Sequence, residues 1–395
     1  MRKQFVKLAL MAMCVSVPVM TACSDDDDNQ GNTAPVVDNS GNTSRVLGGD
    51  VTSDLTLEAG QTYTLTGKLQ VKAPAVLTIP EGVTIVAKYD GNCQYILIEQ
   101  GAKIVARGTA EKPVVMTSES KKEGAWGGLH ICGRAHTNNG SGMSEIGNAP
   151  YGGRDDNDNS GELSYVRLEY TGYAFDSEHE SNGVSFYGVG RGTKVSYVQA
   201  YMGADDGFEF FGGSVNIDHC VVVNCSDDSY DWTEGWNGTA SYLVAYQEDA
   251  ATLGFDCDCL IEADNNGSNY NATPVAHPVL SNLTLVGNGG AKQGIRLRAG
   301  TEAEIYNAQV TGKGLPLTVE TTQTETALKN GVSKLSNIAI SGELNSKEGI
   351  YTNDDFVAAG NKVDQHIALT DRFVGMTEGR GAVEASNLWM AGWTK

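Results

Sequence analysis

Apolar and polar residues alternate along this chain in short runs, and one five-residue phrase recurs. It reads Gly183-Val-Ser-Phe-Tyr187, Gly207-Phe-Glu-Phe-Phe211, Ser229-Tyr-Asp-Trp-Thr233, Gly254-Phe-Asp-Cys-Asp258 and Gly294-Ile-Arg-Leu-Arg298. A small residue leads each copy, positions two and four are apolar, and positions three and five are mostly polar. Successive copies are offset by 24, 22, 25 and 40 residues, the last leaving room for an inserted loop. A period of this size marks a solenoid. Alternation within each copy is the two-residue period of a strand with one buried face. Stacked rungs would turn the third residue outward, so the outer column is predicted to read Ser185, Glu209, Asp231, Asp256, Arg296.

Before the phrases, Leu55-Thr-Leu57, Tyr63-Thr-Leu65, Leu77-Thr-Ile79, Val83-Thr-Ile-Val86, Ile96-Leu-Ile98 and Ile104-Val-Ala106 are short strands punctuated by glycine. A second series includes Tyr165–Tyr170, Tyr197–Tyr201, Cys220–Asn224, Tyr242–Tyr246, Leu283–Val286 and Ala308–Val310, each about ten residues from a phrase. Two or more series per coil, bent at Gly and Asn, predict an all-β fold: a right-handed, single-stranded parallel β-helix with terminal caps. Its expected limits are 51–345, with 51–75 supplying the first cap. The tail, 346–395, contains Trp389 and Trp393 and is read as a cap over the other open end. A stack end is a bare sheet edge and needs one.

The 395 residues exceed one ordinary compact core, a limit that stacked repeats avoid. The 48 glycines suit a turn-rich β chain. A formal charge of −21 argues against nucleic acid as a partner and for cations. Residues 1–22 join a basic start (Arg2, Lys3, Lys7) to an apolar run too short to span a bilayer. They end in Val19-Met-Thr-Ala-Cys23, which resembles a lipobox, implying cleavage before Cys23 and lipidation of its thiol. Ser24-Asp-Asp-Asp-Asp28 follows. It is a solvated, self-repelling run, and it also resembles the export signal of surface lipoproteins. Residues 23–50 as a whole read as a flexible tether.

A family resemblance rests on Gly124-Ala-Trp-Gly-Gly-Leu129, Asp156-Asn-Asp-Asn-Ser-Gly161, Asp205-Asp-Gly-Phe-Glu-Phe-Phe-Gly-Gly213, Asp227-Asp-Ser-Tyr-Asp231 and Ala391-Gly-Trp393. Over about residues 75–395 the chain resembles β-helical, pectin-lyase-like surface lipoproteins of Gram-negative outer membranes. The resemblance implies the fold and a lipid-anchored position facing outward from the outer membrane. It brings no activity with it. The family usually carries a longer Asp run where this chain has Ser229.

Candidate chemistry follows from the outer column. Neighbouring coils lie about 4.8 Å apart, so Glu209, Asp231 and Asp256 would form a ladder of charges. Each adjacent pair would repel by ~3–4 kcal/mol at an effective dielectric near 20. Asp205-Asp206 and Asp227-Asp228 recur at the same 22-residue offset, Asp258 extends the cluster, and Arg296 with Arg298 closes one end. Three readings stand side by side: a solvated acidic face, a Ca²⁺ site bridging coils, and an active site cleaving acidic polysaccharide. A separate calcium-loop pattern, Asp156, Asp158 and Ser160 before Gly161, lacks the Glu such a loop needs, since Arg167 stands there. Six cysteines remain beyond Cys14 and Cys23, an even number that permits disulfides. The expected function is capture of a glycan or other nutrient, with an outer-membrane transporter as a partner. The alternative is a polysaccharide lyase or glycoside hydrolase.

Overall fold

The computed structural model describes residues 45–174, 180–370, 373, 375 and 378–395. The leader, Cys23 and the acidic run after it lie outside the described residues.

The chain winds into a parallel β-helix whose rungs form one 23-stranded sheet. Each full coil has three faces. The first carries the recurring phrase: Tyr95–Ile98, Leu129–Cys132, Val184–Tyr187, Phe208–Phe211, Tyr230–Thr233, Ile261–Ala263, Gln293–Leu297 and Leu315–Val319 stack in parallel register. The second and third faces share long strands such as Gly161–Glu169, Lys194–Tyr201, Asn216–Val223 and Thr239–Tyr246. The first strand, Val46–Val51, already pairs with residues 64–71. The coil therefore starts inside the expected 23–50 tether, and residues 55–71 are rungs rather than a cap. Leu47 is fully buried there, which a solvated tether would forbid.

Aromatic rings stack along the interior because equivalent positions recur coil after coil. Phe186 lies 5.2 Å from Phe210 and Phe208 lies 5.5 Å from Tyr230, ring to ring, while Phe210 meets Trp236 at 4.1 Å. Each long strand bends at one residue of left-handed conformation. Tyr165, Tyr197, His219, Tyr242, Asn282, Asn307 and Asn337 all have φ between 50° and 60°. Asparagine tolerates this conformation and larger side chains resist it. Stacking offsets the resistance: the rings of Tyr165, Tyr197, His219 and Tyr242 follow one another at 4.4, 4.7 and 4.6 Å. The asparagines continue the column as an amide ladder, Asn337 to Asn307 at 2.9 Å and Asn307 to Asn282 at 3.2 Å.

The expected C-terminal cap divides in two. The short helix Asn353–Ala358, closed by a capping box on Thr352, buries Phe356 in the interior core. The rest is a strap that runs back along the outside of the coils. Lys362 pairs with Ile338 and Ile340, Gly381 donates to the Asn307 carbonyl, and Lys395 exchanges hydrogen bonds with Gln199. Trp393 and Trp389 set their edges against Tyr165, Tyr197 and His219. The tryptophans cover the aromatic column along the side of the stack instead of its open end.

One glycine is fixed by contact. Gly161 has φ 122°, and a Cβ there would stand 1.8 Å from the Ile104 carbonyl oxygen. Gly161→Ala is expected to lose about 3 kcal/mol or more in denaturant unfolding. Wild-type stability in that variant would show that the rung pairing at Ile104 is looser than described.

Candidate cation and ligand site

On the first face the third residue of each rung points outward, and the register decides which ones meet. The column reads His130, Ser185, Glu209, Asp231, Glu262, Arg296, Thr318. Glu209 and Asp231 are neighbours as expected, but the next rung supplies Glu262 in place of Asp256. The phrase Gly254–Asp258 belongs to an exposed loop after a four-residue helix, Ala250–Leu253. The true rung, Ile261–Ala263, is led by Leu260, whose bulk breaks the small-residue pattern. Asp256 is exposed and accepts from Asn288 at 2.7 Å, and Asp258 pairs with Lys292 at 3.3 Å, so both sit at the rim. Phe255, at the second, apolar position of that phrase, is half-buried on the same loop and not in the interior.

A second acidic column lies at the turn before each rung. The Asp228 N–H donates to Asp206 Oδ1 at 2.8 Å, and the Cys259 N–H donates to Asp228 Oδ1 at 2.6 Å. Asp205 and Asp227 flank them. Asp206 and Asp228 are each only 6% exposed and Asp205 only 8%, so this column is not a solvated acidic face. Burial, together with the charges of Glu180, Asp227 and Glu145, pushes Asp205 up to about 8. Burial likewise drives Asp206, Glu209, Asp228 and Asp231 well above the usual carboxylate range, with neighbouring carboxylates adding to it.

The two ends of this trough differ in charge balance. At one end Arg298 grips Asp264 at 2.7 Å and Glu262 at 3.2 Å, while Arg296 grips Glu262 at 2.8 Å and Glu320 at 3.2 Å. Arg298 is raised, its bonds to Asp264 and Glu262 outweighing the cost of burial. In the middle, carboxylate oxygens of Asp205, Asp206 and Asp227 lie within 4.8 Å of one another, as do those of Asp206, Glu209 and Asp231. No salt bridge among the described residues reaches these five. Two oxygens there lack a donor among the described residues. Asp231 Oδ1 is shut off from solvent without a hydrogen bond. Asn182, 1% exposed, gives its Nδ2 to Glu209 at 2.6 Å while its Oδ1 meets nothing. Hard oxygens with no proton to accept are what a Ca²⁺ coordination shell needs. A third grouping, Asp228, Cys259 and Glu262, suits a metal less well, because both Glu262 oxygens already accept from arginines.

Asp156, Asp158 and Ser160, the calcium-loop candidates, are tied to partners within the protein. Asp156 accepts from the His136 ring at 2.7 Å, and Asp158 accepts from the Arg134 N–H at 3.0 Å. The Ser160 N–H is used by Thr193. The carboxylates face different donors instead of one point and serve to pin the loop after His136. That loop packs Ile146, Ala149 and Tyr151 onto Tyr187 and Phe211 of the first face. Glu234 holds it by accepting from Thr137, Asn139 and Tyr151. The loop also brings Glu145 to the trough, a residue that strand patterning cannot reach. Cys132, Cys220, Cys225, Cys257 and Cys259 are free thiols, so the disulfides permitted by the even number are not formed among these five.

Parallel rungs in three faces, with polar residues concentrated on one outer column, define a β-helix of the pectin-lyase-like class. The family described as "pectate-lyase like beta helix domain" matches residues 49–394, and the chain belongs to it. Searches of curated proteins and of solved structures returned no match.

Proposed function

We propose that this β-helix binds an acidic glycan through divalent cations, calcium first among them, held by Asp205, Asp206, Glu209, Asp227 and Asp231. The observation that carries the reading is a cluster of buried and half-buried carboxylates that no salt bridge among the described residues reaches, beside the oxygens of Asp231 and Asn182 that have no donor among those residues. Two carboxylates at coil spacing repel by ~3–4 kcal/mol at an effective dielectric near 20. A cation turns that repulsion into attraction. Ca²⁺ takes six to eight oxygens, so the positions that the protein leaves open accept carboxylate or hydroxyl oxygens of a sugar. A chain of net charge −21 repels a polyanion, so such binding depends on the ion. The lipobox-like segment ending at Cys23 supports lipid anchoring, and the acidic run after it supports display outside the outer membrane. An outer-membrane transporter is the partner this placement suggests.

The lyase reading draws on the arginine pair, since calcium and a basic side chain together can remove a proton from a uronate. Arg296 and Arg298 are each engaged by two carboxylates and stay protonated, which favours binding. A glycan array with and without Ca²⁺ tests the reading. Binding to acidic glycans is expected only with the ion, and Asp231→Asn should weaken Ca²⁺ about tenfold or more. Unsaturated uronate products that vanish in Asp231→Asn would replace binding with cleavage. Ion-independent binding, or none, would remove the proposal.

A further inference from the structure

The loop after His136 carries a carboxylate to the trough on a rigid turn. The Ser144 N–H donates to the Ala149 carbonyl at 2.8 Å, and the Ala149 N–H donates to Ser144 Oγ at 2.9 Å. Ser144 Oγ donates in turn to the Ile146 carbonyl at 2.7 Å. Ser144 and Ile146 are buried, so the backbone of Glu145 between them has little freedom. The turn rests on the first face, where a Cβ on Gly147 would stand 2.6 Å from Leu97. The Glu145 carboxylate accepts from the Tyr187 hydroxyl at 3.2 Å. Tyr187 shares its rung with Ser185, and Ser185 lies in register with Glu209 on the next coil. Asn182 joins those two, its Nδ2 donating to Ser185 Oγ at 3.1 Å and to Glu209 at 2.6 Å. Burial raises Glu209 most, and the charge of Glu145 adds to it ahead of that of Asp231. Glu145 thus stands close enough to repel Glu209, although it comes from a loop and not from a rung.

We propose that Glu145 is a further ligand of the cation held by Asp206, Glu209 and Asp231, so that ion binding and seating of the loop reinforce each other. The inference rests on the cation reading of the trough. Without the ion, Glu145 faces like charge and the loop is pushed outward; with the ion bound, the same carboxylate is drawn in. The other ties of the loop are His136 to Asp156, and Glu234 to Thr137, Asn139 and Tyr151. None of them involves a trough carboxylate, so it is Glu145 that gives the ion a preference for the seated loop. A ligand shifts a conformational equilibrium only by its differential affinity for the two states. The coupling is reciprocal: the factor by which the ion holds the loop down is the factor by which a lifted loop weakens the ion.

Trypsin cleavage after Arg154 reads the position of the loop. Arg154 is exposed, but the Asp155 N–H of the scissile bond donates to the Arg134 carbonyl at 2.9 Å, so the bond is cut only when the loop lifts. The full chain is digested in Ca²⁺ and in chelator, the fragment beginning at Asp155 is followed by mass spectrometry, and Ca²⁺ affinity is measured by calorimetry. Ca²⁺ is expected to slow this cut about fivefold or more in the wild type. Glu145→Gln should bind Ca²⁺ about tenfold more weakly. In chelator the same variant should be cut more slowly than the wild type, because the repulsion is gone; a merely structural Glu145 would give faster cutting. Its digestion in Ca²⁺ also accounts for the protease's own response to the ion. Should Glu145→Gln misfold, Glu145→Asp, whose shorter side chain withdraws the carboxylate, reads the same loss of affinity. Ca²⁺ that binds the wild type without slowing the cut, or variants that keep wild-type affinity, overturns the proposal and leaves the cation reading standing. Absence of Ca²⁺ binding by the wild type removes both.

Discussion

Withdrawing divalent cations with a chelator is expected to lower the melting temperature by about 5 °C, and to make stability fall as pH rises from about 4 to 8. The first figure follows from mass action. A ligand at a hundred times its dissociation constant stabilises by about 2.7 kcal/mol, and a chain of this length shifts by roughly 2 °C per kcal/mol. The second follows from linkage. Asp205 has an ordinary pKa of 3.8 and is held at about 8 in the folded chain, chiefly by burial. Between those values the unfolded chain has released the proton and the folded chain keeps it. Each pH unit upward then costs the folded state about 1.4 kcal/mol per such group. Below about 4 both states are protonated, and above about 8 both are ionised, so this contribution is flat outside the window. Asp206, Glu209, Asp228 and Asp231 shift in the same direction and steepen the slope. A bound cation takes the proton's place, so saturating Ca²⁺ should flatten the profile. Melting curves that ignore both chelator and pH would end the cation reading.

The second large effect is at the other end of the trough. Arg298→Gln should cost about 3 kcal/mol in denaturant unfolding, since it leaves Asp264 and much of Glu262 buried without their guanidinium. The side chains of Asp264 and Glu262 are only 10% and 16% exposed, so water compensates little. Arg296→Gln should cost less, because Arg298 still holds Glu262 and Glu320 is left with only its own charge to accommodate. If Arg298→Gln proved as stable as the wild type and instead abolished turnover of an acidic polysaccharide, the arginine would be catalytic and binding alone would be the wrong description.

Much of the site was legible before any coordinates. The phrases at Gly183, Gly207, Ser229 and Gly294 are true rungs, so Glu209, Asp231 and Arg296 were placed in one column correctly. The recurrence of Asp205-Asp206 in Asp227-Asp228 also marked a real stack. Asp256 was misplaced because Gly254-Phe-Asp-Cys-Asp258 mimics the phrase while Leu260 disguises the rung that follows. Asn182 and Glu262 carried a weak signal, since each sits at a position equivalent to a recognised acid. Glu145 carried none: it reaches the trough from a packed loop.

The chain's own text determined that alternate residues are buried and that coils repeat. Those are local consequences of strand geometry and of apolar side chains leaving water. It equally determined the acidic balance and the motif ending at Cys23. Only the tertiary structure decided which carboxylates face one another, because the register depends on the lengths of loops between rungs, and loop length leaves no mark on strand periodicity. It also decided that the last segment lies along the stack as a strap, since Trp389 and Trp393 found their partners in a column of bent residues formed by seven separate coils.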